Sequence, residues 1–388
     1  MPELRDVLIL EAVRTPVGRG HPEKGALKDV HPADLLGQTY VGLLDRAGVD
    51  SAEVDNVIAG CVYQIAEQSA GITRSAWLQK GLAETTGATT VDIRCGSGQQ
   101  AVHFGALRVG AGVDELVVAG GVEHMGRVGF AVNEGAQKEW GRAFTEELLE
   151  RYNLVPQGIG AEMIADQWQI TREEMDELAL RSHQLADRAR SSGAFDREIL
   201  PVSANSHTVK DDQGIRSDTT LEKLGSLKAA FREDGRITAG NSSQVSDGAA
   251  ALLIGSADKA GALGLKPRAR IVDQVVLGVD PVTMLTGPIP ATERILQRNG
   301  LRISDIDLVE INEAFASVVL AWAREHEPDM EKVNVRGGAI ALGHPLGSTG
   351  ARLLTTLLHA LEDTDGELGL VTMCCGGGLG TATLIQRV

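Results

Sequence analysis

Residues 45–61 read DRAGVDSAEVDNVIAGC, and residues 297–312 read QRNGLRISDIDLVEIN. Arg46 matches Arg298, Gly48 matches Gly300 and Asp55 matches Asp307, each pair 252 residues apart (298 − 46, 300 − 48, 307 − 55). In both copies a helix is expected to end at Gly, a short polar link follows, and an apolar strand begins. Residues 115–121 (ELVVAGG) resemble residues 367–373 (ELGLVTM) at the same offset. Between these points each copy has a Gly-rich turn leading into a helix, CGSGQQAVHFGAL from Cys95 and GHPLGSTGARLLTTLL from Gly343. Any one match could be chance similarity between two β-α units. One offset shared at separated points indicates an internal duplication.

The local patterns suit α/β layers. Leu36, Tyr40, Leu43, Leu44 and Ala47 follow helical spacing before Gly48, and Leu353, Leu354, Leu357, Leu358 and Leu361 do the same in the second copy. The short apolar runs 56–59, 116–119, 308–311 and 368–372 read as strands buried on both faces. Their alternation with helices predicts mostly parallel sheets. From about Glu123 to Ser243 no counterpart exists in the other half. Thr171 and Glu174 make a capping-box pattern there, ahead of Met175, Leu178, Leu185 and Ala189, and Gly193 closes that helix. The expected organisation is a first half over 1–122 and 244–266, a mainly helical insertion over 123–243, and a second half over 267–388.

Composition narrows the class. The 388 residues include 46 Gly but only 12 Pro, with no Gly-X-Y period, which excludes collagen-like and low-complexity chains. A hydrophobic content of 43% supplies buried cores. A net charge of −16 argues against a nucleic-acid partner, while a few local Lys or Arg would still suffice for an anionic small molecule. The four Cys (Cys61, Cys95, Cys374 and Cys375) are too few for a disulfide scaffold at this size. The opening MPELRDVLILEAVRTP has too short an apolar run for a signal peptide or a membrane span. A soluble, cytoplasmic protein without a membrane partner is expected.

Four places carry residues that could do chemistry. Cys95 opens CGSGQQA at a strand-to-helix junction, where a helix N-terminus favours the thiolate and should lower the thiol pKa; the alternative is a structural Cys. His344 sits in GGAIALGHPLGSTG, nearly the same place in its half as Cys95 in the other, so the two turns would face each other and a nucleophile could meet its base. Cys374 and Cys375 end a strand before three Gly, where a thiol acid/base and exposed N–H groups for an oxyanion could sit. Adjacent thiols lack the usual metal-ligand spacing, so no metal is expected. Asn312 in NEAFA, at another strand end, suits holding a water or a carbonyl, or simply capping a helix.

These residues resemble the thiolases along nearly the whole chain. CGSG at 95–98, NEAFA at 312–316, GGAIALGHPLGSTG at 337–350 and TMCCGGG at 372–378 are similar to that family's four active-site blocks, in order. The resemblance implies duplicated thiolase-like domains layered αβαβα, with the insertion as a loop domain that holds coenzyme A. It implies Cys95 as the acylated nucleophile, His344 as its activator and a donor to the thioester oxygen, Asn312 as holder of a water, and Cys374 as acid/base. Backbone N–H groups of Cys95 and Gly376 would form a second oxyanion hole. Ser243 matches a pantetheine-contacting Ser, Arg216 a residue near the adenine end, and Met284 and Phe315 fall among the substrate-contacting positions. Acyl-CoA and coenzyme A would be substrates, with no permanently bound cofactor, and a homodimer or homotetramer is the family's expectation.

The chain also departs from the family pattern. Asp92 stands where many thiolases have Asn. Pro156-Gln157-Gly158 replaces the His-Met-Gly of acetoacetyl-CoA enzymes, so Gln157 favours a degradative 3-ketoacyl-CoA thiolase over a biosynthetic acetoacetyl-CoA one. The wording of VDIRCGSGQQA, SSQVSDGAAA and INEAFASVVLAWAREHEPDM is similar to a bacterial branch used in steroid catabolism. A ketosynthase-type condensing enzyme is one rival, though it would use a second His or Asn where this chain has Cys374. A non-catalytic acyl-CoA-binding protein on the same scaffold is another, against which intact Cys95, His344 and Cys374 speak.

Overall fold

A computed structural model describes residues 5–205 and 207–388. Among them the strands are β1 (Val7–Arg14), β2 (Gly18–Arg19), β3 (Asn56–Gly60), β4 (Gly87–Val91), β5 (Leu116–His124), β6 (Val202–Ala204), β7 (His207–Val209), β8 (Ser246–Ser256), β9 (Ala269–Gly278), β10 (Leu308–Ile311), β11 (Leu368–Cys375) and β12 (Leu379–Arg387). One large sheet runs β10-β11-β12-β9-β1-β8-β5-β3-β4, with β2 beside β8. Its two halves join through a short antiparallel β1–β9 contact, Leu8 opposite Arg270 and Ile9 opposite Ala269.

The duplication is visible strand by strand. Strands β3 and β10 begin at 56 and 308, and β5 and β11 at 116 and 368. The helices Ser97–Gly110 and Thr349–Thr364 also begin 252 residues apart (349 − 97). Gly48 and Gly300 each end a helix in the left-handed region, at φ 67° and 64°, where Gly alone adds no strain. Asp55 accepts the N–H groups of Glu115 and Leu116 at 2.8 and 3.0 Å. Asp307 accepts those of Glu367 and Leu368 at 2.8 and 2.9 Å. The same carboxylate clamp therefore fixes the strand entry in both copies.

The expectation of mostly parallel sheets is corrected. Pairing is parallel only at the two ends, β3 with β4 and β5, and β10 with β11. The central pairs β5–β8, β8–β1, β9–β12 and β11–β12 are antiparallel. Only Gly376, Gly377 and Gly378 separate β11 from β12. Such a short link can close a hairpin but not the crossover a parallel pair needs.

Helices Ser97–Gly110 and Thr349–Thr364 pack on each other between the strands of both halves. The second is buried from Thr349 through Leu361, because its apolar residues face strands of both halves of the sheet. Truncating one of its core leucines, such as Leu358, would cost about 2–5 kcal/mol. Helices Pro32–Ala47 and Ile72–Gln79 cover the outer side of the first half, and Pro288–Asn299 covers that of the second, with Ala316–His326 packed beside it. The layers are thus α, β, α, β, α.

The chain leaves the sheet at the end of β5 and returns at β8. Between them lie helices Phe130–Trp140, Glu146–Arg151, Gln157–Gln167, Arg172–Ser191 and Leu221–Gly225, with the β6–β7 hairpin. The capping box forms: Thr171 Oγ1 accepts the Glu174 N–H at 3.2 Å, and Glu174 Oε2 accepts the Thr171 N–H at 2.7 Å. No helix among the described residues is long and apolar enough to cross a membrane.

Candidate active site

The two Gly-rich turns meet where the halves touch. The Gly347 carbonyl oxygen would lie 2.5 Å from a Cβ on Gly60, 2.8 Å from one on Gly98 and 2.0 Å from one on Gly121. Real Cβ atoms do not approach so closely, so side chains at these positions would force the turns apart. The glycines let the start of helix Ser97–Gly110 lie against the turn that carries His344.

Cys95 stands two residues ahead of that helix, after β4. Arg94 before it has φ +59°, in the left-handed region uncommon for a side-chain-bearing residue. Two side chains hold this bend. Asp92 Oδ1 accepts the Arg94 N–H at 2.7 Å. Ser97 Oγ accepts the Ile93 N–H at 3.0 Å and donates to the Arg94 carbonyl at 2.5 Å. The backbone N–H groups of Gly376 and of Cys95 itself favour the thiolate form of the Cys95 sulfur. The expected lowering of the thiol pKa is overturned: burial pushes it up to about 11, against the pull of those N–H groups and of Arg94. At a residue 3% exposed, lost hydration is the largest influence and outweighs those groups.

His344 is buried, and its backbone N–H lies 3.1 Å from Ser246 Oγ and 3.2 Å from the Gln244 carbonyl. Its Nδ1 is 2.6 Å from Thr349 Oγ1, and its Nε2 is 3.3 Å from Asn312 Nδ2. Burial, reinforced by the charge of Arg352, pulls the imidazole down to about 3, so it is neutral at physiological pH. Asn312 follows β10 directly, its N–H donating to the Thr372 carbonyl at 3.1 Å. Its Oδ1 is buried with no protein partner.

Cys374 and Cys375 close β11 and point to opposite faces, as neighbours on a strand do. Cys374 belongs to the apolar cluster holding Met284 and Phe315, and Cys375 to the one holding Cys95. A Cβ on Gly96 would lie 2.7 Å from the Cys375 sulfur. Burial and the neighbouring Cys95 push both thiols up, which keeps them protonated.

Two carboxylates that sequence reasoning left without a role secure the turns. Glu123, near the end of β5, accepts the N–H groups of Val62, Tyr63 and Gly347 at 2.9, 3.1 and 2.9 Å and the Gln68 amide at 2.8 Å. Burial pushes it up to about 7, and those donors hold it from rising further. Glu313 accepts from Ser182 Oγ at 2.6 Å, Asn334 Nδ2 at 2.9 Å and the Ile340 N–H at 3.1 Å. Their one sequence signal is a charged residue at the end of an apolar strand.

The remaining predicted positions divide. Gln157 opens its helix, with Nε2 only 2.5 Å from where a Cβ on Gly376 would stand, so it lies against the glycines that follow Cys375. Phe315 packs edge-on against Phe231 at 6.0 Å. Met284, in the same apolar cluster, is buried at φ +43°. Ser243 is half-buried, its N–H donating to the Ala314 carbonyl at 2.9 Å. Arg216 stands apart from this group. It is exposed and lines a cavity of about 190 Å³ with His183, Arg188 and Thr219.

Residues 7–258 match the family model described as thiolase, N-terminal domain, and residues 265–387 match thiolase, C-terminal domain. The chain belongs to the thiolase family. As a thiolase it is an acyltransferase. A steroid 3-ketoacyl-CoA thiolase of Mycobacterium tuberculosis is 44% identical over 397 residues, which are 99% of this chain and 95% of that one. A 3-oxoadipyl-CoA/3-oxo-5,6-dehydrosuberyl-CoA thiolase of Escherichia coli is 42% identical over 404 residues, covering 99% and 100%. The crystal structure of the Bacillus anthracis acetyl-CoA acetyltransferase superposes with a TM-score of 0.92 at 41% identity, covering 100% of both chains.

Proposed function

We propose that this thiolase cleaves a 3-ketoacyl-CoA with coenzyme A, in the degradative direction, through an acyl-Cys95 intermediate. The observation that carries this reading is the close packing of the two turns, the Gly347 carbonyl beside the His344 turn lying against Gly98 just after Cys95, with the Cys374 thiol near enough to Cys95 to feel its charge. The Cys95 proton passes to His344 as sulfur attacks the 3-keto carbon. The C2–C3 bond then breaks to release the enolate of acetyl-CoA. A protonated His344 and the Asn312 amide, or a water it holds, would donate to the developing oxyanion. Cys374, kept as a thiol by burial, protonates the enolate carbon. Its thiolate takes the thiol proton of incoming coenzyme A, whose sulfur accepts the acyl group from Cys95. The proton on His344 returns to Cys95. The two-step transfer implies ping-pong kinetics.

Coenzyme A would lie along residues 123–243, with Ser243 at its pantetheine arm and Arg216 toward the adenine end. Gln157 beside Gly376 supports a larger acyl group than acetoacetyl, and the names of the relatives support a degradative substrate. Phe104 and Leu107, 43% and 53% exposed on the helix that follows Cys95, support a homo-oligomer. A cytoplasmic location belongs to the same reading. The test is CoA-dependent loss of 3-ketoacyl-CoA absorbance, with kcat/KM for acetoacetyl-CoA, a medium-chain and a steroid-like 3-ketoacyl-CoA. No cleavage of any of them would overturn the activity. A preference for acetoacetyl-CoA would overturn the substrate class. Cys95→Ala should leave no acyl mass on the intact protein.

A further inference from the structure

We propose that Thr349 is a positioning residue that fixes the tautomer of His344, keeping the hydrogen on Nδ1 so that Nε2 carries the lone pair that takes the Cys95 proton once the Asn312 amide yields it. The inference deepens the thiolase reading and rests on it. Two independent constraints point to this tautomer. On one side, Thr349 Oγ1 lies 2.6 Å from His344 Nδ1 and 2.8 Å from the Pro345 carbonyl oxygen. A hydroxyl has one hydrogen to give. The carbonyl can only accept, so the hydroxyl donates there and its oxygen receives Nδ1–H. On the other side, Nε2 faces the Asn312 amide nitrogen at 3.3 Å. That nitrogen is a donor and two N–H groups would repel, so in the resting site Nε2 carries no hydrogen and accepts from the amide.

The local chain explains how Thr349 reaches the ring. The Pro345 carbonyl also accepts the N–H groups of Ser348 and Thr349 at 3.1 and 3.0 Å, which turns the backbone back beneath the imidazole. Thr349 opens the helix Thr349–Thr364 and is 0% exposed, so bulk water does not compete for its hydroxyl. When Nε2 takes the Cys95 proton, the chain Nδ1–H to Thr349 to Pro345 stays intact. No bond needs to reorganise on that side of the ring, which favours fast proton return.

The experiment combines imidazole 15N NMR with kinetics on wild type, Thr349→Val and Thr349→Ser, with His344 assigned by its absence from His344→Ala. Wild type should show a protonated Nδ1 and a bare Nε2. Thr349→Val should lose that preference and drop kcat by roughly tenfold, the loss of one buried hydrogen bond. Its KM for coenzyme A should stay within about twofold. Thr349→Ser keeps the hydroxyl and should restore both. A wild-type spectrum with hydrogen on Nε2 overturns the proposal, even if Thr349→Val does not fold. So does a Thr349→Ser enzyme as impaired as Thr349→Val, which would assign the effect to the methyl group's packing. A wild type that cleaves no 3-ketoacyl-CoA overturns the activity instead, and the tautomer is still read from the same spectrum.

Discussion

Glu123→Gln changes one atom at a place where every neighbour is a donor. Oε1 accepts the Tyr63 N–H and the Gln68 amide, and Oε2 accepts the Val62 and Gly347 N–H groups. A Gln amide turned either way sets its NH2 against two of these donors. Two buried donors left without a partner cost about 2–5 kcal/mol together. At about 2 °C per kcal/mol for a large chain, the melting temperature should fall by roughly 4–10 °C. The damage should also reach catalysis, because Gly347 belongs to the turn that carries His344. A displacement of about 1 Å there would lower kcat on the order of 100-fold. The KM for coenzyme A should stay within about twofold, since the loop-domain contacts are untouched. The assays are a thermal scan at fixed rate and steady-state cleavage of a 3-ketoacyl-CoA. A variant with unchanged melting temperature and unchanged kcat would refute the idea that this carboxylate holds the catalytic turn.

With its thiol pushed up to about 11, Cys95 should be alkylated by iodoacetamide faster with each step in pH, about tenfold per unit between roughly pH 6 and 9. A plateau near neutrality would instead reveal a resting thiolate–imidazolium pair. Cys374→Ser should lower kcat far more than Cys375→Ser, measured side by side on one substrate; the reverse ranking would reassign the acid/base. Asp55→Ala and Asp307→Ala each free two N–H donors of a strand entry, and each should cost about 1–3 kcal/mol. Melting temperatures that differ widely between the two would break the equivalence of the clamps.

Much of the fold was legible because its signals are local. Gly48 and Gly300 as helix ends, the leucine stripe from Leu353 to Leu361 and the Thr171–Glu174 box need only neighbours a few residues away. The meeting of the Cys95 and His344 turns followed from the duplication, since equivalent turns in two packed copies come together. The pairing direction at the sheet's centre was misread, because the alternation of strands and helices outweighed the three glycines after Cys375. The Cys95 thiol was misjudged because the helix end is written in the sequence, whereas the depth of burial is decided by the other half of the chain. Glu123 and Glu313 stayed silent for the same reason. Their partners are distant in sequence, Gly347 for one and Ser182 for the other.

Fusing two copies into one chain has a consequence for symmetry. In a pair of separate identical subunits, a two-fold axis would place the same residue on both sides of the junction. Two thiols would face each other, or two imidazoles, and neither pair gives a nucleophile with its base. Here the residue 252 positions beyond Cys95 is Gly347 (95 + 252), and the one 252 before His344 is Asp92 (344 − 252). A single chain can carry a different residue at each of two corresponding places. Glu123 and Cys375 differ in the same way (375 − 123), a fastening carboxylate in one half and a thiol in the other. The single chain therefore carries a division of labour that a symmetric dimer of either half could not encode.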